Sequence, residues 1–431
     1  MSWYFGTNLL IRIMAGLVLG AVVGIFMAFS ASPETVASFV GYTKFFGDIF
    51  VNLLKMIVVP VIFLSLIAGA ASITPGQLGR VGLKTLLYYL ITSIISISIG
   101  LTVALLLQPG VGLGITGAEG IAGKAATAPP LSTVLLNIVP TNIIASLSKG
   151  DVLPIIFFAL VFGISLAILR DNKDDHVSKY ATMLYNLIAT AAETMYLIVR
   201  GIMQYAPIGV FVLISVVFAQ QGPKVIGPLV FLTLCVYLGL VLHLFVGYGA
   251  VLGVFKLSIF NFLRKGNEPP IMAFVTRSSS ATLPVTMRVT EENLGVPRSI
   301  SSFALPIGAT VNMDGTAIYL AICTVFIGNA VGMPLQFDQL VTLTVVATLA
   351  AIGAAGVPGA GALMMLMVLE AIGMPVEAGS AVAAAYAMIL GMDALFDMGR
   401  TCLNVTGDMI GVIAVSKSEG QLDTSKWQLP A

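Results

Sequence analysis

The 431-residue chain reads as an all-α polytopic membrane protein with eight transmembrane helices, two re-entrant helical hairpins and an inverted internal repeat. Three observations lead there. Only 10% of residues are charged and 58% are hydrophobic, against roughly 25% charged in an average soluble protein. Charge-free runs at 13–33, 56–79, 201–223 and 225–255 each reach the ~20 apolar residues that cross a bilayer as a helix. Two segments in the second half carry a tip of small residues and a proline between apolar arms too short for a full span. With 21 Lys+Arg against 20 Asp+Glu, there is no basic field for nucleic acid. The chemistry must lie in where the few charges stand.

In chain order, spans are expected near 9–30, 42–72, 83–108, 131–169, 177–219 and 225–254, the fourth broken around Lys149-Gly150-Asp151. The run 13–33 is long for the apolar region of a signal peptide, and Ala28-Phe29-Ser30 is a weak cleavage site, so it reads as a retained first span. The Gly-, Ala-, Thr- and Pro-rich stretch 108–131 reads as an exposed loop. Arg80, Lys84, Arg170, Lys173, Lys179, Lys256, Arg264 and Lys265 fall on one side, and only Lys44, Lys124, Lys149 and Lys224 on the other. The positive-inside rule then puts both termini in the cytoplasm of a multi-pass protein of the cell's inner (plasma) membrane. Cys235, Cys323 and Cys402 are scattered in apolar sequence and point to neither a disulfide framework nor a metal cluster. His176 reads as a solvated loop residue and His243 as a polar packing residue.

After about residue 256 the texture changes. Segments 257–294 and 335–373 place Ser278-Ser279-Ser280-Ala281-Thr282-Leu283-Pro284 and Ala354-Ala355-Gly356-Val357-Pro358-Gly359-Ala360-Gly361 at their tips. Such tips leave backbone groups unpaired, which hydrocarbon tolerates only where the loop lines a polar cavity. Each hairpin is followed by one long apolar span, near 300–331 and 376–417. An odd number of crossings between the two hairpins makes them enter from opposite sides, the inverted arrangement of secondary transporters.

The last span carries Asp393, Asp397, Arg400, Asn404 and Asp408, spacings that gather all five within roughly 80° of a helical wheel. The other span contains Asn312-Met313-Asp314-Gly315-Thr316, where local unwinding would free carbonyls for a cation. Intramembrane charges cost about 2.5–3.5 kcal/mol each even on the lenient insertion scale and mark functional sites by default. Four carboxylates face one certain cation, Arg400, with Arg277 as a possible second, so protons or bound cations must neutralise the rest. Oxygen-rich surroundings without a His or thiolate cluster suit a hard alkali ion. The Arg400 guanidinium matches a carboxylate bidentately, and Asp397, one turn away, can hold an ammonium. Together they describe a receptor for a small zwitterion with an extra carboxylate. No His-Glu-x-x-His motif, Gly-x-Ser-x-Gly elbow or base near 278–280 points to an enzyme.

These runs, with Asp397-Met398-Gly399-Arg400-Thr401 and Asn404-Val405-Thr406-Gly407-Asp408, resemble the glutamate/aspartate transporter family of dicarboxylate/amino acid:cation symporters, and most of all its prokaryotic sodium-coupled aspartate transporters. The resemblance implies a substrate site of Arg277, Ser279, Thr316, Val357, Gly361, Asp397, Arg400, Thr401 and Asn404. It implies one sodium site at Gly308, Asn312, Asn404 and Asp408, and a second at Thr310, Met313, Ala351, Ile352 and Ala354. A third would use Tyr89, Thr92, Ser93, Asn312 and Asp314. Ala281 stands where relatives commonly have Gly, and Ala351 and Ala354 where they often have a hydroxyl. The resemblance further implies a homotrimer in lipid. Its scaffold (1–72 and 131–219) would hold a transport domain (73–130 and 220–417) that moves like an elevator, with 418–431 as a cytoplasmic tail. The implied function is sodium-coupled symport of aspartate or glutamate, with no cofactor beyond the sodium ion. The alternative is a proton-coupled or broader-substrate symporter, for a C4-dicarboxylate or neutral amino acid.

Overall fold

The computed structural model describes residues 9–72, 79–115, 136, 138–352, 358–377 and 379–428. Every regular element among them is helical. The first, α1 (Leu9–Ser30), turns sharply into α2 (Pro33–Ala71). Ser32 caps α2 with its hydroxyl, 3.3 Å from the Thr35 amide, and Pro33 fills the first helical position, where its missing N–H is harmless. The helix therefore starts nine residues before the expected 42, and Lys44 lies within it instead of in a loop. A span-length window finds the membrane crossing but not the helical extension beyond it.

Next come α3 (Arg80–Leu107), the short α4 (Ile143–Lys149), α5 (Val152–Arg170) and the 47-residue α6 (Asp175–Gln221). The expected break at 149–151 is present: Gly150 is left-handed, with φ 78°, and ends α4. After a 3₁₀ turn, α7 (Ile226–Leu242) passes through a π turn, His243–Tyr248, into α8 (Gly249–Val254).

The first hairpin segment is divided. A separate helix α9 (Ile259–Lys265) precedes the true arms α10 (Glu268–Thr276) and α11 (Ser279–Glu292), so the first arm begins at 268 and not at 257. The following span is broken into α12 (Arg298–Val311) and α13 (Asp314–Ala330), with Asn312 and Met313 outside helical geometry. The second hairpin has arms α14 (Phe337–Ile352) and α15 (Ala360–Ala371). The last long helix, α16 (Ala381–Ser418), is unbroken.

Six stretches among the described residues are long and apolar enough to cross a membrane, and one of them, Asp175–Val254, contains both α6 and α7. Their outer faces are apolar, as lipid requires: Ile11, Val18, Val22, Phe26 and Phe29 of α1 are all exposed. Inside, α1 packs on α6 through Gly16, Gly20 and Gly24. A Cβ at Gly20 would stand 2.6 Å from the Phe211 carbonyl oxygen, and one at Gly24 2.5 Å from that of Ser215. Small residues one turn apart let the two backbones touch, the usual glue between helices in lipid.

A second packing group is centred on α13, whose residues are almost all buried against α3, α7 and α16. The chain end joins this group. Asp423 donates its N–H to the Gly295 carbonyl at 2.9 Å, and the Trp427 indole N–H donates to that of Leu294 at 2.9 Å. A short helix, α17 (Ser425–Gln428), thus seals the base of the first hairpin.

Candidate functional site

The stripe on α16 is buried throughout. Asp393, Asp397, Arg400, Thr401, Asn404 and Asp408 are all 5% exposed or less. Because α16 is a continuous helix, the four- and three-residue spacings put these groups in one column, and the rest of the site assembles along it.

In the N-terminal half of the column, after Asp393 and Asp397, stands Arg400. Its Nη1 and Nη2 donate to the two Asp393 carboxylate oxygens at 3.0 and 3.4 Å, and its Nε donates to Asp397 Oδ1 at 3.0 Å. Its guanidinium carbon lies 4.4 Å from the centre of the Tyr319 ring, a cation–π contact in a dry setting. The fork read from sequence as a substrate receptor is therefore engaged by Asp393, whose position on the stripe was legible but whose partnership was not. The second hairpin leans on this pair. Gly359 donates its N–H to Asp397 Oδ2 at 3.3 Å, and a Cβ at Gly361 would run into the guanidinium. Arg277, in the left-handed conformation with φ 55°, shares a narrow cleft with Asp393 and Ala362. A non-glycine residue held there stores about 1 kcal/mol or more of strain, which clusters at functional sites. Ser278 spends its hydroxyl capping α11, 3.2 Å from the Ala281 amide, and Ser279 follows as the first, buried residue of that helix. Val357 lies outside the described residues.

Below Arg400, Asn404 ties α16 to the break between α12 and α13. Its Oδ1 accepts the Gly315 N–H at 2.8 Å, and its Nδ2 lies 3.4 Å from Thr316 Oγ1 and 3.1 Å from Met313 Sδ. One turn lower, Asp408 Oδ1 accepts from Asn312 Nδ2 at 3.0 Å, and that same Nδ2 reaches the Asn404 carbonyl at 3.3 Å. Asn312 Oδ1 is buried and has no hydrogen-bond partner among the described residues. Gly308 completes a cradle: a Cβ there would stand 2.5 Å from both Asp408 Oδ1 and the Tyr89 hydroxyl. Gly308, Asn312, Asn404 and Asp408 are thus together as expected. Tyr89 belongs with them, its hydroxyl also donating to the Ala304 carbonyl at 3.0 Å.

Of the third expected cation set, Ser93 alone touches Asp314, donating to Oδ1 at 2.8 Å. The Thr92 hydroxyl turns back to the Tyr88 and Tyr89 carbonyls, at 3.1 and 3.2 Å. The other Asp314 oxygen, Oδ2, takes the Tyr248 hydroxyl at 2.8 Å and faces His243 Nε2 at 3.3 Å. His243 is therefore no bystander. The available signal was a histidine in a charge-free apolar run, a default functional candidate in a membrane segment.

The second expected set is the least assembled. Thr310 bonds its hydroxyl to the Ile307 carbonyl at 3.1 Å and lines a cavity of about 670 Å³ between α2, α6 and α12, shared with Ser65, Glu193 and Tyr196. Met313 and Ala351 are buried, Ile352 ends helix α14, and Ala354 lies outside the described residues.

Electrostatically the site divides. Arg400 answers Asp393 and Asp397. Asp314 and Asp408 are fully buried, and among the described residues neither has a Lys or Arg partner; Asp314 has only the His243 ring. Two carboxylates and an orphaned amide oxygen in a dry core call for protons or a bound cation, since uncompensated buried charge is among the costliest features a fold can carry.

The profile of the sodium:dicarboxylate symporter family matches residues 9–418. The chain belongs to that family. It is 35% identical to a proton/sodium-glutamate symport protein of Geobacillus stearothermophilus over 423 residues, which cover 96% of this chain and 95% of the relative. It is also 35% identical to the proton/glutamate-aspartate symporter of Escherichia coli over 392 residues, covering 88% and 86%. A C4-dicarboxylate transport protein of Rhizobium johnstonii is 34% identical over 429 residues, covering 98% and 91%. The chain is accordingly a symporter of the membrane and not an enzyme.

Proposed function

We propose that the protein is a sodium-coupled symporter of acidic amino acids. The observation that carries this is the pair Asp314 and Asp408, buried with no cationic side chain beside them among the described residues and flanked by Asn312 Oδ1, which has no partner among those residues. Surroundings in which oxygen predominates suit a hard monovalent cation. Gly308, Asn312, Asn404 and Asp408 would hold one sodium ion. Ser93 and Asp314 would hold another, with Tyr89 and Thr92 beside them. Thr310, Met313, Ala351, Ile352 and Ala354 are the proposed surroundings of a further one.

For the substrate, Arg400 would exchange Asp393 for the side-chain carboxylate, and Asp397 would receive the ammonium. Thr316, Thr401 and Asn404 would supply the remaining polar contacts, and Arg277, Ser279, Val357 and Gly361 belong to the two hairpin tips that would close over the substrate. Asp397 favours an amino acid over a plain dicarboxylate, which has no amine to meet it. That α1, α2, α5 and α6 pack mainly on one another favours the division into a scaffold, 1–72 with 131–219, and a moving domain, 73–130 with 220–417. In the proposal, a homotrimer of eight-span subunits in lipid, with cytoplasmic termini, carries the site across by an elevator motion.

The test is uptake of radiolabelled aspartate and glutamate into proteoliposomes at fixed pH, with sodium replaced by choline outside. Uptake that needs sodium supports the proposal. Uptake that follows a proton gradient in choline would replace it with the proton-coupled alternative, and uptake of succinate alone would move the substrate to the C4-dicarboxylates.

A further inference from the structure

His243 and Tyr248 reach Asp314 from an uncommon piece of backbone. Residues five apart on an α-helix point about 140° away from each other. In the π turn His243–Tyr248 the wider i→i+5 spacing brings both rings to one side, with centroids 4.4 Å apart and planes at 69°. Such single π turns inside α-helices are frequent at functional sites.

Both side chains are fully buried and both aim at the same carboxylate oxygen. Asp314 Oδ2 lies 2.8 Å from the Tyr248 hydroxyl and 3.3 Å from His243 Nε2. His243 Nδ1 has no partner among the described residues, so the tautomer that bonds the Asp314 carboxylate carries its proton on Nε2. Two donors fill the two lone pairs of Oδ2. Among the described residues the other oxygen, Oδ1, accepts from Ser93 alone, which leaves it a lone pair to offer. The carboxylate is thus held in one rotation, with one saturated oxygen and one available.

We propose that His243 is a positioning residue for the coupling cation, which together with Tyr248 fixes Asp314 so that Oδ1 is the oxygen offered to the ion. This rests on the cation reading of Asp314 given above. The arrangement is the one metal sites use generally, where an outer hydrogen bond orients the ligand, and loss of that bond weakens the metal by 10–100-fold. His243 would therefore govern sodium affinity without touching sodium or substrate.

The test is sodium-dependent thermal stabilisation of the purified full chain without substrate, in a series from choline to sodium at constant ionic strength. His243→Leu should raise the half-saturating sodium concentration by about 10–100-fold, read against the variant's own melting temperature in choline, which the loss of a buried donor to Asp314 lowers. His243→Gln, which keeps an N–H donor at similar reach, should restore most of the affinity. Tyr248→Phe removes only the second donor and should shift the sodium midpoint in the same direction, so the idea can be judged even if His243→Leu does not fold. Unchanged midpoints in His243→Leu or Tyr248→Phe, or a His243→Gln protein as defective as the leucine variant, overturn the proposal. Absence of any sodium response in the wild type overturns the cation reading itself.

Discussion

Gly308 offers the sharpest test of the Asp408 cradle. Replacing it with alanine adds one methyl group, whose carbon would stand 2.5 Å from Asp408 Oδ1 and from the Tyr89 hydroxyl. Ordinary contact begins at 3.4 Å, so each oxygen has to retreat by about 0.9 Å. Cation–oxygen distances tolerate only about 0.2 Å, and the loss of a mere outer partner costs 10–100-fold in affinity. The expected loss of sodium affinity is therefore at least about 100-fold, or ~2.7 kcal/mol. Overpacking of this kind costs about 1–3 kcal/mol, offset in part because Gly308 lies inside α12 and alanine is the better helix former by about 1 kcal/mol, so the variant should fold with a modestly lower sodium-free stability. The assay is thermal stability against sodium. At a concentration 100 times the wild-type dissociation constant, the ion adds about 2.7 kcal/mol to the wild type and only about 0.4 kcal/mol to a variant weakened 100-fold. Adding Tyr89→Phe relieves one of the two clashes but not that with Asp408, so the deficit should persist in the double variant. A folded Gly308→Ala protein whose sodium midpoint moves less than twofold would refute the cradle.

Three further outcomes follow from the same geometry. Arg400→Lys keeps the charge but loses the fork that spans both Asp393 oxygens; losing a charged hydrogen bond at about 1.5–3 kcal/mol should weaken glutamate and aspartate binding by roughly 10–150-fold in calorimetry, and unaltered affinity would remove Arg400 from the receptor. Asp397→Asn should weaken amino acid binding while sparing succinate in competition assays, whereas an equal loss of both would deny Asp397 its ammonium. Just past the C-terminus of α16, Lys84 donates to Glu419, and with Arg80 Nε at 3.2 Å holds its carboxyl below the ordinary 4.5. A depressed folded pKa means that this tie stabilises above about pH 4.5 and fades as pH falls through the lower folded value. The melting-temperature gap between wild type and Glu419→Gln should accordingly shrink on acidification, and a gap that widens would reverse the assignment.

The α16 stripe was legible because helical periodicity converts spacing directly into a shared face. The break at Asn312-Met313 was legible because two strongly polar residues before a glycine cannot continue a buried helix unaided. What could not be read was partnership across the chain. Asp393 looked like one more surplus acid, and only the path of α16 beside Arg400 makes it a counter-ion. His243 lies 71 residues from Asp314, and the π turn that aims it has no periodic signature. The early start of α2 was written in Ser32 and Pro33 but lies beyond the apolar run that announced the span. The docked tail depends on main-chain carbonyls at 291, 294 and 295, which every sequence possesses and none advertises.

The Arg400–Asp393 pair has one more consequence for a carrier that works as proposed. After unloading, such a machine must return through the hydrocarbon with its receptor vacant, and a bare guanidinium would make that journey prohibitively slow. An in-house carboxylate, 3.0 Å away on the same helix, supplies the missing anion for the trip back. Loading is then a swap of one acid for another instead of the filling of a hole. The substrate gains only the difference between the two, which keeps binding loose enough for delivery on the far side.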